Sequence, residues 1–353
     1  MEIPQYGNIM KPMEWFDNKL KIIDQTKLPA ITEFIELTDY RDVVEAIKEL
    51  KVRGAPAIGV AAGYGIALGA QKIEANNKAN FLKYLDEILN AFATSRPTAV
   101  NLFRTIDRMK KVAEKAVNQS KIAQALINEA KLIHKEEIEA TERLSKLGAE
   151  LIDDGFTIMT HCNTGPLATA GYGTALGIII AAGKEGKSVK VFATETRPLC
   201  QGARLTTWEL LQEKIPTTLI TDSMAGYFLN RGQVNCVIVG ADRIAANGDT
   251  ANKIGTYNLA VLAAENKIPF YIAAPTSTID ISLNSGVEIP IEERDAEEII
   301  NLAGIRIAPQ GIMVANPAFD ITPYRYITAI ITENGIAKEP FHTSIRKILK
   351  GST

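Results

Sequence analysis

The chain has 353 residues, 46% of them hydrophobic, and a formal net charge of −2 from 39 basic and 41 acidic side chains. That is ordinary globular composition, enough for one large domain or two of normal size, and it gives no general electrostatic reason to expect a nucleic-acid or membrane-surface partner. Cys162, Cys200 and Cys236 are the three cysteines; an odd number without a C-x-x-C pair argues against both a disulfide framework and a zinc knuckle.

In chain order, the opening "MEIPQYGNIMKPMEW" lacks a basic segment followed by an apolar one. No run of roughly 18 apolar residues occurs, so neither a signal peptide nor a membrane span is expected, and the expected location is cytoplasmic. "KLKIIDQTKLPAITEFIELT" suggests a hairpin. From Asp39 to about Asp154 the patterns are helical: the charged "YRDVVEAIKELKV", the small-residue "AIGVAAGYGIALGAQKI", and a segment from Lys121 with Leu126, Ile133, Leu144, Leu147 and Leu151 at helical spacings. Arg96-Pro97-Thr98 punctuates this region, and Pro suits a helix start because it has no intrahelical donor to lose. Residues 1–150 therefore read as a mainly helical domain with a short β opening. His134, in a charged stretch of the long helix, is expected to be exposed.

From Phe156 onward short apolar runs alternate with turns and helical patterns: "FTIMTHC", "SVKVFATE", "TTLITD", "VNCVIVGAD" and "PFYIAA". Such runs, rich in β-branched and aromatic types, indicate parallel βαβ units, so residues 151–353 read as a Rossmann-like α/β domain with a doubly wound, mostly parallel sheet. Ligands collect beyond the carboxyl ends of such strands, where Cys162, Glu195, Asp222, Asp242 and Pro275-Thr276 fall. "GPLATAGYG" does not match G-x-G-x-x-G, and no Walker-type phosphate loop occurs. A smaller anion fits better than a dinucleotide.

Two segments join a cation to an expected helix start: Arg53 before Gly54-Ala55-Pro56, and Asn252-Lys253 before Gly255-Thr256. Unpaired N–H groups and a positive side chain would converge there on a phosphate; alternatively the first segment merely turns the chain and Arg53 is solvated. Asp242 follows a nearly continuous apolar run, where desolvation would favour a protonated carboxyl able to deliver a proton at neutral pH. Its alternatives are capping the next helix or pairing with Arg243. Cys162, between His161 and Asn163, has the chemistry of a nucleophile, a metal ligand, an acid/base group or an inert buried thiol, although strand neighbours such as His161 and Cys162 face opposite ways and ligate one metal awkwardly. Cys200 and Cys236 read as packing residues.

Six motifs appear in order: Arg53-Gly54-Ala55-Pro56, Arg96-Pro97-Thr98-Ala99-Val100-Asn101, His161-Cys162-Asn163-Thr164-Gly165, Glu195-Thr196-Arg197-Pro198 followed by Gln201-Gly202-Ala203-Arg204, Gly240-Ala241-Asp242-Arg243, and Asn252-Lys253-Ile254-Gly255-Thr256. Together they resemble the 5-methylthioribose-1-phosphate isomerase family of methionine salvage, over residues from about 10 to 345. The resemblance implies an aldose–ketose isomerase acting on a phosphorylated sugar, with Asp242 as proton donor to the ring oxygen and Cys162 as the second catalytic group. It further implies that Arg53, Gly54, Ala55 and Arg96 bind substrate and phosphate from the helical domain, and that Gln201, Asn252 and Lys253 do so from the second. A site shared by the domains implies closure on substrate. No metal or organic cofactor is implied, and family members are similar in being homodimers. Rival readings are an isomerase of 5-deoxyribose 1-phosphate or ribose 1,5-bisphosphate, and a non-catalytic regulatory subunit of the same superfamily.

Overall fold

Residues 11–96 and 100–351 are described in the computed structural model; Pro97, Thr98 and Ala99 of the second motif lie outside the described residues. The chain divides into two units, Met1–Thr141 with Pro166–Gly173, and Glu142–Gly165 with Thr174–Thr353.

The first unit opens with an antiparallel sheet of β1 (Met13–Phe16), β2 (Lys19–Ile23) and β3 (Phe34–Leu37). Asp17 and Asn18 close the first turn with φ of 43° and 55°, the positive pair that lets a two-residue loop follow the strand twist. Helices α1 (Tyr40–Lys48), α2 (Ala55–Gln71), α3 (Lys78–Ala93), α4 (Val100–Lys115) and α5 (Ile122–Ala149) follow, and Asp39 caps α1 by accepting from the Arg41 N–H. Every residue of α2 from Ala57 to Ala70 is buried, as expected of a helix apolar on all sides.

Around α2 the unit packs Val43, Ile47, Phe92, Leu102 and Leu126, each such burial contributing about 1.5–3 kcal/mol. The short α6 (Pro166–Thr169) completes this unit. His134 is buried, contrary to expectation: it continues the buried Leu126–Ala130 row of α5 one turn further. Its Nδ1 lies 2.9 Å from the Tyr64 hydroxyl and its Nε2 2.9 Å from the Ala170 carbonyl. Burial pushes its pKa down.

The second unit contains β4 (Thr157–Thr160), α7 (Ala175–Lys184), β5 (Lys190–Thr194), α8 (Thr207–Gln212), β6 (Thr217–Ile220), α9 (Ala225–Asn230) and β7 (Cys236–Val239). It continues through β8 (Arg243–Ala245), β9 (Thr250–Lys253), α10 (Thr256–Glu265), β10 (Phe270–Ala273), β11 (Ile279–Asp280), α11 (Glu297–Ile300), β12 (Asn301–Leu302) and β13 (Ile305–Arg306). It ends with β14 (Phe319–Thr322), β15 (Ala329–Thr332), β16 (Gly335–Ala337) and α12 (Phe341–Leu349).

Seven strands form the main sheet in the order β16-β15-β10-β7-β4-β5-β6. All neighbours are parallel except the β15–β16 pair. Both faces are covered: Ile158, Val191 and Ile238 pack on one side, Met159, Val237 and Ile272 on the other, which is why these strands read as unbroken apolar runs. This is the expected doubly wound sheet. Strand order runs from β4 outward to β5 and β6, then resumes on the other side with β7, so the switch point lies between β4 and β7. A second sheet, β11-β8-β9-β14, follows β7; the sequence reading did not anticipate it.

Candidate active site

Cys162 and Asp242 leave the carboxyl ends of β4 and β7, the two strands flanking the switch point. These strands pair with Ile158 opposite Cys236 and Met159 opposite Val237. Beyond the strands the two loops meet, because a Cβ on Gly240 would stand 2.7 Å from the Thr164 methyl. Only glycine permits that approach.

Cys162 is half-buried and has φ of 62°, a left-handed conformation that costs a non-glycine residue about 1–3 kcal/mol and persists only where the surroundings over-determine it. Here they do. The Cys162 N–H donates to Thr196 Oγ1 at 2.8 Å, and Thr206 Oγ1 donates to the Cys162 carbonyl at 2.6 Å. Thr196 is itself left-handed, φ 64°, and is fixed from β6: the Asp222 carboxylate accepts the Thr196 and Arg197 N–H groups, both at 2.8 Å. Three successive strand ends thus set the backbone that carries the thiol. The neighbouring Asn163 amide is buried and donates to Thr206 and Glu209.

His161 is buried, with Nδ1 2.6 Å from Thr194 Oγ1 and Nε2 2.8 Å from the Ile254 carbonyl. A carbonyl only accepts, so Nε2 carries the proton and Nδ1 accepts from the threonine. Burial pushes the His161 pKa down, and with both nitrogens engaged the ring is a brace. Cys200 and Cys236 behave as packing thiols: burial raises both, Cys236 to about 12.

Asp242 is half-buried, and its N–H donates to the Ala251 carbonyl at 2.9 Å. The next element is strand β8, so the helix-capping alternative falls away. Arg243 Nη1 lies 3.8 Å from Asp280. Gln201 leads into a π-helical turn over Gly202–Thr206, an irregularity common at functional sites. Its side chain is only 5% exposed, and its Oε1 finds no hydrogen-bond partner among the described residues.

Asn252 and Lys253 end β9, paired with β14, and α10 begins at Thr256 as expected. Asn252 Nδ2 donates to Thr256 Oγ1 at 2.9 Å, and Lys253 Nζ sits 5.2 Å over the Phe319 ring. The helix start expected to receive an anion here is already occupied: Asp320 on β14 accepts the Gly255 N–H at 2.7 Å and the Tyr257 N–H at 3.0 Å. Burial raises the Asp320 pKa to about 6.

In the first unit, Arg53 is buried, so its solvated alternative is corrected. Gly54 has φ of 90°, and a Cβ there would fall 2.3 Å from the Ala168 carbonyl oxygen. Ala55 is the first residue of α2, and Arg96 is half-buried after α3. Sequence reading missed Thr196, Thr206, Asp222 as a double acceptor, and Asp320; threonines recurring at and just past strand ends, at Thr160, Thr194 and Thr196, were the available signal. Among the described residues no group of three or more His, Cys, Asp or Glu could hold a metal ion.

The model of the Initiation factor 2 subunit family matches residues 51–339. The chain belongs to that family. Within the Initiation factor 2 subunit family it is 59% identical over 329 residues to the methylthioribose-1-phosphate isomerase of Dehalococcoides mccartyi, covering 93% of this chain and 98% of that one. Among solved structures it is similar to the 5-methylthioribose 1-phosphate isomerase of Pyrococcus horikoshii, with a TM-score of 0.91, 42% identity and 99% of each chain covered. It is also similar to the translation initiation factor eIF-2B subunit delta of A. fulgidus, with a TM-score of 0.86, 44% identity, and 97% of this chain and 100% of that one covered.

Proposed function

We propose that this chain is an aldose–ketose isomerase of methionine salvage, converting 5-methylthioribose 1-phosphate to 5-methylthioribulose 1-phosphate. Curated relatives of that name, 53–59% identical over nearly the whole chain, support the reaction. The observation that carries the chemistry is a carboxyl and a thiol on the two strand ends that flank the switch point. A binding subunit has no need of that pair.

In this substrate the anomeric oxygen carries a phosphate, so the ring does not open by itself and the enzyme must help break the C1–O4 bond. Asp242, at the carboxyl end of the apolar strand β7, protonates the ring oxygen as that bond breaks. Cys162 acts next, at C2, either taking the proton to give an enediol or assisting a hydride shift from C2 to C1. Arg53, Gly54, Ala55 and Arg96 bind substrate and phosphate, as do Asn252 and Lys253. Gln201, whose buried Oε1 has no hydrogen-bond partner among the described residues, meets a sugar hydroxyl; an unmet buried acceptor is costly until a ligand satisfies it.

No helix among the described residues is long and apolar enough to cross a membrane, in keeping with a cytoplasmic enzyme. A homodimer through the second unit agrees with the exposed Leu211, Leu219 and Tyr227, on α8, the edge strand β6 and α9, since apolar side chains at an open sheet edge invite a partner.

The deciding experiment measures turnover of 5-methylthioribose 1-phosphate, 5-deoxyribose 1-phosphate and ribose 1,5-bisphosphate, without added metal, by wild type, Cys162→Ser and Asp242→Asn. The methylthio sugar should be converted fastest, with activity lost in both folded variants. Run in D2O, deuterium at C1 of the product marks the enediol route. Silence of a folded wild type on every sugar would move the chain to the regulatory-subunit class.

A further inference from the structure

The segment Lys253–Gly255 is held from two sides. From β4, the His161 Nε2–H donates to the Ile254 carbonyl at 2.8 Å. From β14, the Asp320 carboxylate takes the Gly255 and Tyr257 N–H groups, and the Ile254 N–H donates to the Ala318 carbonyl at 3.0 Å. The registers sharpen this arrangement, because Asp320 pairs directly with Asn252 and Phe319 with Lys253. Thr256 Oγ1 donates to the Lys253 carbonyl at 2.6 Å while accepting from Asn252 Nδ2, so the Asn252 side chain is oriented by the same clamped turn. His161 immediately precedes Cys162, and Lys253 immediately precedes Ile254. One imidazole and one carboxylate therefore fix the spacing between the thiol and the Asn252–Lys253 pair.

We propose that His161 and Asp320 are positioning residues that hold Asn252 and Lys253 at a set place relative to Cys162, and so govern how tightly the phosphorylated sugar is bound. This rests on the isomerase reading above. Neither residue touches substrate; each acts through the main chain it grips. Charge-assisted hydrogen bonds from backbone N–H groups to a carboxylate are among the stronger ones, and two on one carboxylate leave the turn little freedom to shift.

The test is steady-state kinetics of the full chain with 5-methylthioribose 1-phosphate, alongside thermal unfolding, for wild type, Asp320→Asn, His161→Asn and His161→Gln. Asp320→Asn removes the charge and one acceptor, and KM should rise about tenfold with kcat within about threefold of wild type. Asparagine at position 161 reaches only the place of Nδ1 and loses the donor to Ile254, whereas glutamine reaches the place of Nε2 and keeps it. His161→Asn should therefore raise KM as Asp320→Asn does, and His161→Gln should restore it.

Asp320→Asn should raise KM less on a Lys253→Met background than in wild type, because the carboxylate acts in part through that lysine. Lowered melting temperatures with KM unchanged in both Asp320→Asn and His161→Asn would overturn the proposal and leave the two residues as packing. Should Asp320→Asn not fold, the two His161 variants decide. A folded wild type that turns over no sugar overturns the isomerase reading and this inference together, while an active wild type with indifferent variants overturns the inference alone.

Discussion

Replacing Thr196 by valine keeps the shape and β-branching of the side chain and deletes its hydroxyl. Thr196 is fully buried, and its Oγ1 is the acceptor for the Cys162 N–H at 2.8 Å. In the variant that N–H faces a methyl group, and stranding a buried donor costs about 1–3 kcal/mol. Cys162 can escape the cost by leaving its left-handed conformation, which relieves about 1–2 kcal/mol of backbone strain and moves the thiol. With the relief set against the cost, the expected net loss is about 1 kcal/mol, or roughly 2–4 °C in melting temperature for a unit of this size. A displacement near 1 Å of a reacting group lowers kcat by about a hundredfold. Scanning calorimetry and kcat for 5-methylthioribose 1-phosphate are the assays, with Thr196→Ser as the control that retains the hydroxyl. Wild-type kcat and melting temperature in Thr196→Val would refute this account, and so would an equal loss in Thr196→Ser.

The carboxyl of Asp320, raised by burial to about 6 from 3.8, makes stability depend on pH. A raised folded-state pKa contributes stability that is complete below pH 3.8 and is lost as pH rises through about 6, at most about 3 kcal/mol in all. Urea unfolding of wild type against Asp320→Asn should show the difference falling by about 1.5 kcal/mol between pH 5 and 8; a flat difference would show that Asp320 titrates normally. Gly54→Ala places a Cβ 2.3 Å from the Ala168 carbonyl oxygen at φ of 90°, and should destabilise the first unit by about 2–5 kcal/mol. A loss under about 0.5 kcal/mol would mean that the chain does not make this close approach.

The main sheet was legible because parallel strands covered on both faces announce themselves as apolar runs, and β4, β5, β7 and β10 each fall within one; the edge strand β6, with Thr218 and Leu219 exposed, was marked instead by its β-branched residues. The second sheet was not, because Thr250–Lys253 is a short, mostly polar strand whose partner Phe319–Thr322 lies far along the chain; nothing local marks such pairing. For the same reason Asn252-Lys253 looked like the approach to a free helix start, when the N–H groups there were already taken by a carboxylate distant in sequence. Cys162 and Asp242 could be placed at strand ends from pattern alone, but the switch point between them required the strand order. His134 misled because charged neighbours describe the helix as a whole, while burial follows the single row of residues it shares with Leu126 and Ala130. The threonine hydroxyls that set Cys162 have no sequence signature beyond recurrence, since an anchor is defined by where its partner lies.

The excursion of Pro166–Gly173 into the first unit bears on how the protein is made. Gln25 Nε2 finds its acceptor at the Leu167 carbonyl and His134 finds one at Ala170, so a nascent chain that has emerged only as far as Thr141 holds buried polar groups whose partners are still unsynthesised. The amino-terminal unit is assembled first but finished late, after β4 and the cysteine loop have left the ribosome. A gene fragment stopped at residue 150 would encode its helices without the short piece that completes them.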